Sequence, residues 1–371
     1  MRRSKRIAFQ VHLWLGVVIG LVWSLQGLTG ATLVFHRELD RWAHPEWRGG
    51  SGPPLPVDRL IAIAEALTER PVTAVGILDS GRDIRTATYA DGQGIQRMLL
   101  MDAATGATVG ERQPQPEAPS DGSTSRFIYM IHERLISGPT GETIIGISGC
   151  LLLSSSLLGL WLAWPRRGNW RALLSPRGWR TLPQKLHSWH RLAGLVFGLV
   201  FVFVAIGGIY MTFTESIRRA LGSVVSLEAP YKSAVAQTGV APSIPAQAAL
   251  HEAERLFPKA AFVRLALPVA GKPFYVVRLR QDGETRAWSG ATTVTVDAGN
   301  GRVLQVQDGL RGPVVERVLN AQFSIHNGEV GGLPGRLLIL LAGLSLPTFY
   351  VTGLWLWLRN RRLIRRRAAA A

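Results

Sequence analysis

The residues with the most chemistry to offer are eight histidines: His12, His36, His44, His132, His187, His190, His251 and His326. A neutral imidazole presents a nitrogen lone pair to a metal and titrates near neutrality, so these side chains point to metal ligation or proton handling. Six of them (His12, His36, His132, His187, His190 and His326) stand at or near the ends of long apolar runs. The single cysteine, Cys150, lies inside such a run, which excludes an intrachain disulfide and a cysteine-based metal site. No Walker loop, dinucleotide fingerprint, HExxH motif or Ser-His-Asp order accompanies the histidines.

The elements that must position them are membrane helices. Segments 11–35, 143–164, 192–213 and 337–358 are long and apolar enough to cross a hydrocarbon core of about 30 Å. Inside a bilayer their backbone groups must pair internally, so helices are expected. Basic residues crowd the stretches 2–6, 166–191 and 359–367, each beside an apolar run. That pattern places both termini and the middle loop in the cytoplasm. It also argues against nucleic acid as the reason for the net charge of +17, because a nucleic-acid face would gather its charge on one folded surface. Several of the twelve Trp flank the runs, where an amphipathic indole suits the headgroup layer. The first run follows a basic N-terminus but is too long for a typical secretory signal, so we read it as an uncleaved span.

The chain therefore divides into a cytoplasmic N-terminus with the first span (1–35), an outer lobe (36–142), the second span (143–164), a basic cytoplasmic loop (165–191), the third span (192–213), a second outer lobe (214–336), and the fourth span with a basic tail (337–371). Its two halves repeat. A shift of about 178 positions carries His12, Gly16, Gly20, Gly30 and Phe35 onto His190, Gly194, Gly198, Gly208 and Phe213. A shift of about 194 carries Ile131–His132 onto Ile325–His326, Gly149 onto Gly343, and the GLWL at 159–162 onto the GLWL at 353–356. The lobes match more loosely. Each holds a Pro-opened amphipathic helix, near 56–67 and 245–256, and a strand–turn–strand, near 99–109 and 294–303. Each reads as a small α+β unit. Parallel repeats of this kind are related by an axis along the membrane normal.

The repeat sorts the histidines by depth. His12 and His36 would lie about 36 Å apart on one helix and cannot share an ion. His12 and His190 occupy equivalent positions on the inner side, and His132 and His326 on the outer side. Each pair faces its mate across the axis. Two imidazoles at one depth among apolar walls suit the two axial positions of a haem iron. Two such haems near opposite faces would make an electron path across the membrane.

His187 lies on the same helical side as His190 and is an alternative inner ligand. His36 has no counterpart in the second half, where Thr214 stands. His44 and His251 are assigned to the lobes. Glycines following His12 and His190 leave room either for a flat cofactor or for close helix packing. Pro347 should kink the fourth span. The near absence of charge within the spans argues against ion-coupled transport.

The stretches HLWLGVVIGL at 12–21 and HRLAGLVFGL at 190–199, the outer IHERL and IHNGE, and the closing GLWLAWPRR and GLWLWLRNRR resemble the PepSY-associated transmembrane family of bacterial inner-membrane proteins. The resemblance spans nearly the whole chain. It implies four transmembrane helices in two tandem repeats, each with a small periplasmic PepSY-like α+β lobe. It further implies two b-type haems, held by His12, His190, His132 and His326, and electron transfer to a periplasmic ferric siderophore that releases Fe(II). Fe(II) binds hard oxygen ligands less tightly than Fe(III). Family members fused to flavodoxin-like or reductase domains imply that here the donor is a membrane quinol or a separate cytoplasmic reductase. PepSY lobes also occur as inhibitory or interaction modules, so a non-redox regulatory membrane protein is the competing expectation.

Overall fold

The computed structural model describes residues 3–79, 81, 83–165, 181–225, 227 and 243–369, with the backbone alone at Arg367. Arg2 and most of the basic loop, residues 166–180, lie outside the described residues. Contacts divide the chain into two units. One gathers Met1–Val34, Ile131–Thr214 and Ile325–Ala371; the other gathers Phe35–Met130 and Glu215–Ser324.

The first unit is a helix bundle. Its long helices are α1 (Arg3–Leu33), α5 (Gly138–Ala163), α6 (Leu182–Thr212) and α10 (Gly332–Ala369). All four have the length and apolar composition to cross a membrane. They outrun the apolar runs at several ends, most of all α10, because helical hydrogen bonding does not stop where hydropathy does. Pro347 sits inside α10, which continues through it. Closest approach between α1 and α10 depends on Gly27 and Gly343: a Cβ on either would run into the other's carbonyl. Trp23 of α1 donates its indole N–H to the Ser148 carbonyl of α5 at 3.2 Å, satisfying a buried donor.

The second unit is an antiparallel sheet of eight strands: β1 (Val72–Ile77), β2 (Ile84–Ala90), β3 (Gln96–Asp102), β4 (Thr108–Arg112), β5 (Ala261–Ala266), β6 (Phe274–Arg280), β7 (Thr292–Asp297) and β8 (Val303–Gln307). Their order is β4-β3-β2-β1-β5-β6-β7-β8. The two expected α+β lobes are thus halves of one sheet, joined where Ala74–Gly76 of β1 pairs with Arg264–Ala266 of β5. Pairing these edges satisfies the backbone groups that each four-stranded half would otherwise leave open. Helices α3 (Val57–Thr68) and α8 (Ala246–Leu256) follow Pro56 and Pro245, as their sequences suggest, and share a core with both halves. Leu60, Val75, Leu265, Val277 and Leu279 there are wholly buried. Burying each contributes about 1.5–3 kcal/mol.

Four further helices connect to the bundle. α2 (His36–Ala43) follows α1, and α7 (Thr214–Gly222) follows α6. α4 (Thr124–Arg134) and α9 (Val314–His326) begin in the sheet-bearing unit, and their last residues belong to the bundle. Within the sheet-bearing unit, Arg218 of α7 makes a two-pronged ion pair with the buried Glu316 of α9, at 2.9 and 2.7 Å. Asp40 of α2 accepts from Ser125 of α4 at 2.7 Å. These contacts fix the roots of the two helices that carry His132 and His326.

Candidate histidine centres

Four of the eight histidines lie in the bundle with one hydrogen-bonding habit. On α1, His12 places Nδ1 3.0 Å from the Ser155 carbonyl and 3.0 Å from the Ser155 hydroxyl of α5. On α6, His190 places Nδ1 3.3 Å from Thr352 Oγ1 of α10. His132, near the end of α4, places Nδ1 3.0 Å from Thr29 Oγ1 of α1. His326, the last residue of α9, places Nδ1 2.7 Å from the Val204 carbonyl of α6.

These partners fix the tautomer. Carbonyls only accept. The Thr29 hydroxyl gives its own proton to the Leu25 carbonyl at 2.8 Å, and the Thr352 hydroxyl gives its proton to the Thr348 carbonyl at 2.7 Å. Their oxygens therefore accept from the imidazole, so Nδ1 carries the proton and Nε2 keeps its lone pair. A second partner that orients the ring through one nitrogen and leaves the other for a metal is the usual arrangement around histidine ligands.

Glycine sets where each ring lies. A Cβ on Gly30 would come within 2.9 Å of His132 Cε1, and one on Gly208 within 3.3 Å of His326 Cε1. A Cβ on Gly159 would come within 3.1 Å of His12 Cε1, and one on Gly353 within 3.6 Å of His190 Cε1. Each ring thus rests on the bare backbone of a facing helix. The remaining glycines separate into two uses. Gly20, Gly27 and Gly198 are closed off by Tyr350, by Gly343 with Leu346, and by Leu160. Gly16 and Gly194 have nothing within 4 Å of a Cβ position. Each follows its histidine by one helical turn, so open space adjoins both the His12 and the His190 imidazoles.

The pair on α4 and α9 is well defined. The His132 and His326 rings have centroids 6.1 Å apart and planes inclined by 64°. Two imidazoles bound through Nε2 on opposite sides of one ion, at about 2 Å per bond, would hold their centres about 6 Å apart. Burial, reinforced by His326, pushes the His132 imidazole down to about 3, with the Gln26 carbonyl opposing. Burial also lowers His326 against the pull of the Val204 carbonyl. Both rings are therefore neutral at physiological pH, the form that ligates metal. At the other level, His187 and His190 lie one turn apart on α6. The edge of Phe349 also meets the His190 ring, at 5.1 Å between centroids.

His187 is exposed, one turn before the half-buried His190. His36 opens α2 and groups with the sheet-bearing unit. His44 stacks on Trp47 at 3.7 Å in that same unit, and His251 meets Gln247 on the exposed side of α8. Among the described residues, no group of three or more His, Cys, Asp or Glu side chains is placed to hold a bare metal ion. The histidine sets are pairs, which suits a metal whose other positions are filled by a planar macrocycle.

Sequence reasoning singled out these four histidines but not their neighbours in the bundle: Thr29, Ser155, Thr352, and the glycines Gly159 and Gly353 beneath the His12 and His190 rings. A hydroxyl residue in an otherwise apolar span is the signal that marks the first three. The family described as the PepSY-associated TM region matches residues 9–360 of this chain. No curated protein matches it.

Proposed function

The chain belongs to the PepSY-associated transmembrane family, and from that premise we propose that it is a dihaem inner-membrane reductase delivering electrons to a periplasmic ferric siderophore. The observation that carries this reading is the set of four imidazoles, His12 with His190 and His132 with His326, each held at Nδ1 with Nε2 left as a free base. Matching positions in the two halves of the sequence give both pairs the same logic. Haem bound between each pair would supply a one-electron carrier at each level.

The residues of the chain set the terms for that carrier. Gly30, Gly208, Gly159 and Gly353 let the rings seat against the helices, and Gly16 and Gly194 leave space beside the inner pair. Gly30 lies about 27 Å along α1 from His12, close to the thickness of the hydrocarbon core. The two levels therefore stand near opposite faces. Buried Trp23 lies between them on the same helix. Burial at the His132–His326 level favours neutral imidazoles, whose lone pairs remain available. On the outer side, one electron converts Fe(III) to Fe(II), whose weaker hold on hard oxygen ligands frees the metal.

An anaerobic oxidation assay tests the reading. Purified protein is reduced chemically, freed of excess reductant, and mixed with ferric hydroxamate and catecholate siderophores in the presence of an Fe(II) chelator. The haem bands should return to the oxidised form as coloured Fe(II) chelate appears in equal amount. Bands that stay reduced with every siderophore would contradict the proposed substrate class.

A further inference from the structure

Among their hairpin connections, the two halves of the sheet differ most at one place. In the first half, β2 and β3 are joined by residues 91–95, Asp-Gly-Gln-Gly-Ile, within the usual span of about two to five residues. In the second half, β6 and β7 are joined by 281–291, more than twice as long. The longer connection carries Arg286 and Trp288, and the shorter has neither residue type. Closing a hairpin requires neither. Side chains that bind are often carried on such loops when a rigid scaffold positions them.

This loop is fixed along its length. Buried Glu284 accepts from the Ala291 amide and from the Thr292 hydroxyl. Arg280 donates to the Ala287 carbonyl at 2.8 Å, and the Gly290 amide donates to the Arg286 carbonyl at 3.1 Å. Gly290 takes a φ of 62°, which a side chain would strain.

Two side chains leave this frame and meet helices. Arg286 donates its Nε to the Asn320 carbonyl of α9 at 3.0 Å and lies over the Phe323 ring at 5.8 Å. Trp288 receives the Arg37 guanidinium of α2 over its ring at 4.6 Å. Two guanidinium groups thus stand beside two aromatic rings at one loop. All four side chains are half-buried, so none is sealed into the core. Three carboxylates of the same elements are engaged elsewhere: Glu284 within the loop, Glu316 with Arg218, and Asp40 with Ser125.

Phe323 ties this cluster to a histidine. It precedes His326 by three residues on α9, a spacing that makes side chains neighbours with Cβ atoms about 5–6 Å apart. A ligand gripped at Arg286 and Phe323 therefore lies about one helical turn from His326.

The chemistry of the cluster selects among ligands. A guanidinium binds oxyanions through paired N–H donors and stacks on flat rings, and indole and phenyl faces receive other aromatic rings. A ligand that satisfies all of these is anionic and aromatic at once. Siderophores that bind Fe(III) through catecholate or phenolate oxygens have that character. Three catecholate dianions around Fe(III) leave a triply negative complex with its rings at the surface. Three hydroxamates leave a neutral metal centre without aromatic rings.

We propose that Arg37, Arg286, Trp288 and Phe323 form a specificity site for ferric siderophores with aryl-oxygen ligands, and that it favours them over hydroxamates. This site deepens the reductase reading and rests on it, since the iron must be held near His326 to receive an electron there.

The test separates binding from electron transfer by using gallium(III), which has the charge of Fe(III) but is not reduced. Full-length protein in phosphatidylcholine nanodiscs is titrated calorimetrically with gallium enterobactin, a tris-catecholate, and with gallium desferrioxamine B, a trihydroxamate; empty discs are subtracted. The catecholate complex should bind at least about tenfold more tightly. Arg286→Gln and Trp288→Leu should each weaken it by about tenfold and leave the hydroxamate complex unchanged. Arg286 also anchors the loop, so Arg37→Gln, on α2, supplies a variant outside it and should weaken catecholate binding in the same direction. Absence of catecholate binding, equal or tighter hydroxamate binding, or a catecholate affinity indifferent to all three substitutions overturns the proposal. In nanodiscs containing phosphatidylglycerol, variants that retain less of that lipid yet bind the gallium catecholate normally would assign the cluster to a headgroup and also overturn it. Failure of the reductase reading shows separately, as haem bands that stay reduced with ferric siderophores, and leaves the gallium titration to decide the site.

Discussion

The two rings of each histidine pair are held differently. One ring rests on the main chain: His326 bonds the Val204 carbonyl, and His12 bonds the Ser155 carbonyl with the Ser155 hydroxyl beside it. The other rests on a threonine hydroxyl: His132 on Thr29, and His190 on Thr352, with Phe349 beside the His190 ring. A carbonyl partner survives any substitution of its residue, but a hydroxyl partner does not. The supports of His12 and His326 should therefore be robust, and those of His132 and His190 editable at single positions.

The largest break in this comparison comes from removing a ring. His132→Ala or His326→Ala should abolish the outer haem and leave the inner one, halving the haem bound per chain. His12→Ala or His190→Ala should do the converse. Spectra of the four variants, recorded with a pyridine haemochrome assay, check this.

Next in size is the contrast between open and closed glycines. Gly16→Phe meets no protein atom near its Cβ, so the fold should persist while the inner haem is lost. Gly27→Leu drives into Gly343 and Leu346 and should lower the thermal midpoint of the whole bundle. Thermal unfolding in detergent, set beside haem content, separates the two effects.

Smaller again are the hydroxyl supports. Thr352→Val should weaken haem retention at the inner level by about tenfold, the scale expected when the partner that orients a metal-ligating histidine is removed. Thr29→Val should have an effect of similar size on the His132–His326 pair, because His132 bonds the Thr29 hydroxyl. His187→Ala should leave retention unchanged, since that ring is exposed. Haem transfer to apomyoglobin measures all three.

The smallest effect concerns pH. In haem-free protein the folded His132 titrates at about 3, below an ordinary imidazole near 6.5. Between those values the unfolded chain binds a proton that the folded chain does not. Its contribution to stability is therefore complete above about 6.5 and declines as pH falls toward 3. The thermal midpoint should drop on acidification, and His132→Ala should flatten that slope.

Much of this arrangement was legible in the sequence because local chemistry encodes it. Apolar run length marked the four membrane helices, and Pro56 and Pro245 marked the starts of α3 and α8. The turns at Gly106 and Gly301, with φ of 74° and 75°, stand where glycine was expected to supply a positive φ. The union of the two lobes was not legible. The β1–β5 pairing joins Gly76 to Arg264, far apart in the chain, and nothing in either strand's alternation names its partner. The same limit applies at the histidine pairs. That Gly353 lies beneath His190, or that Thr29 faces His132, depends on which helices touch, and a sequence states that only indirectly. The glycines that looked ambiguous were so because both readings hold, at different positions.

The most direct test is the stoichiometry and spectrum of haem in the full-length protein, purified without added haem from cells able to make it. The expected result is a b-type pyridine haemochrome at about two haems per chain, with low-spin bands as two imidazole ligands require. Folded protein with no haem would contradict the account at its centre.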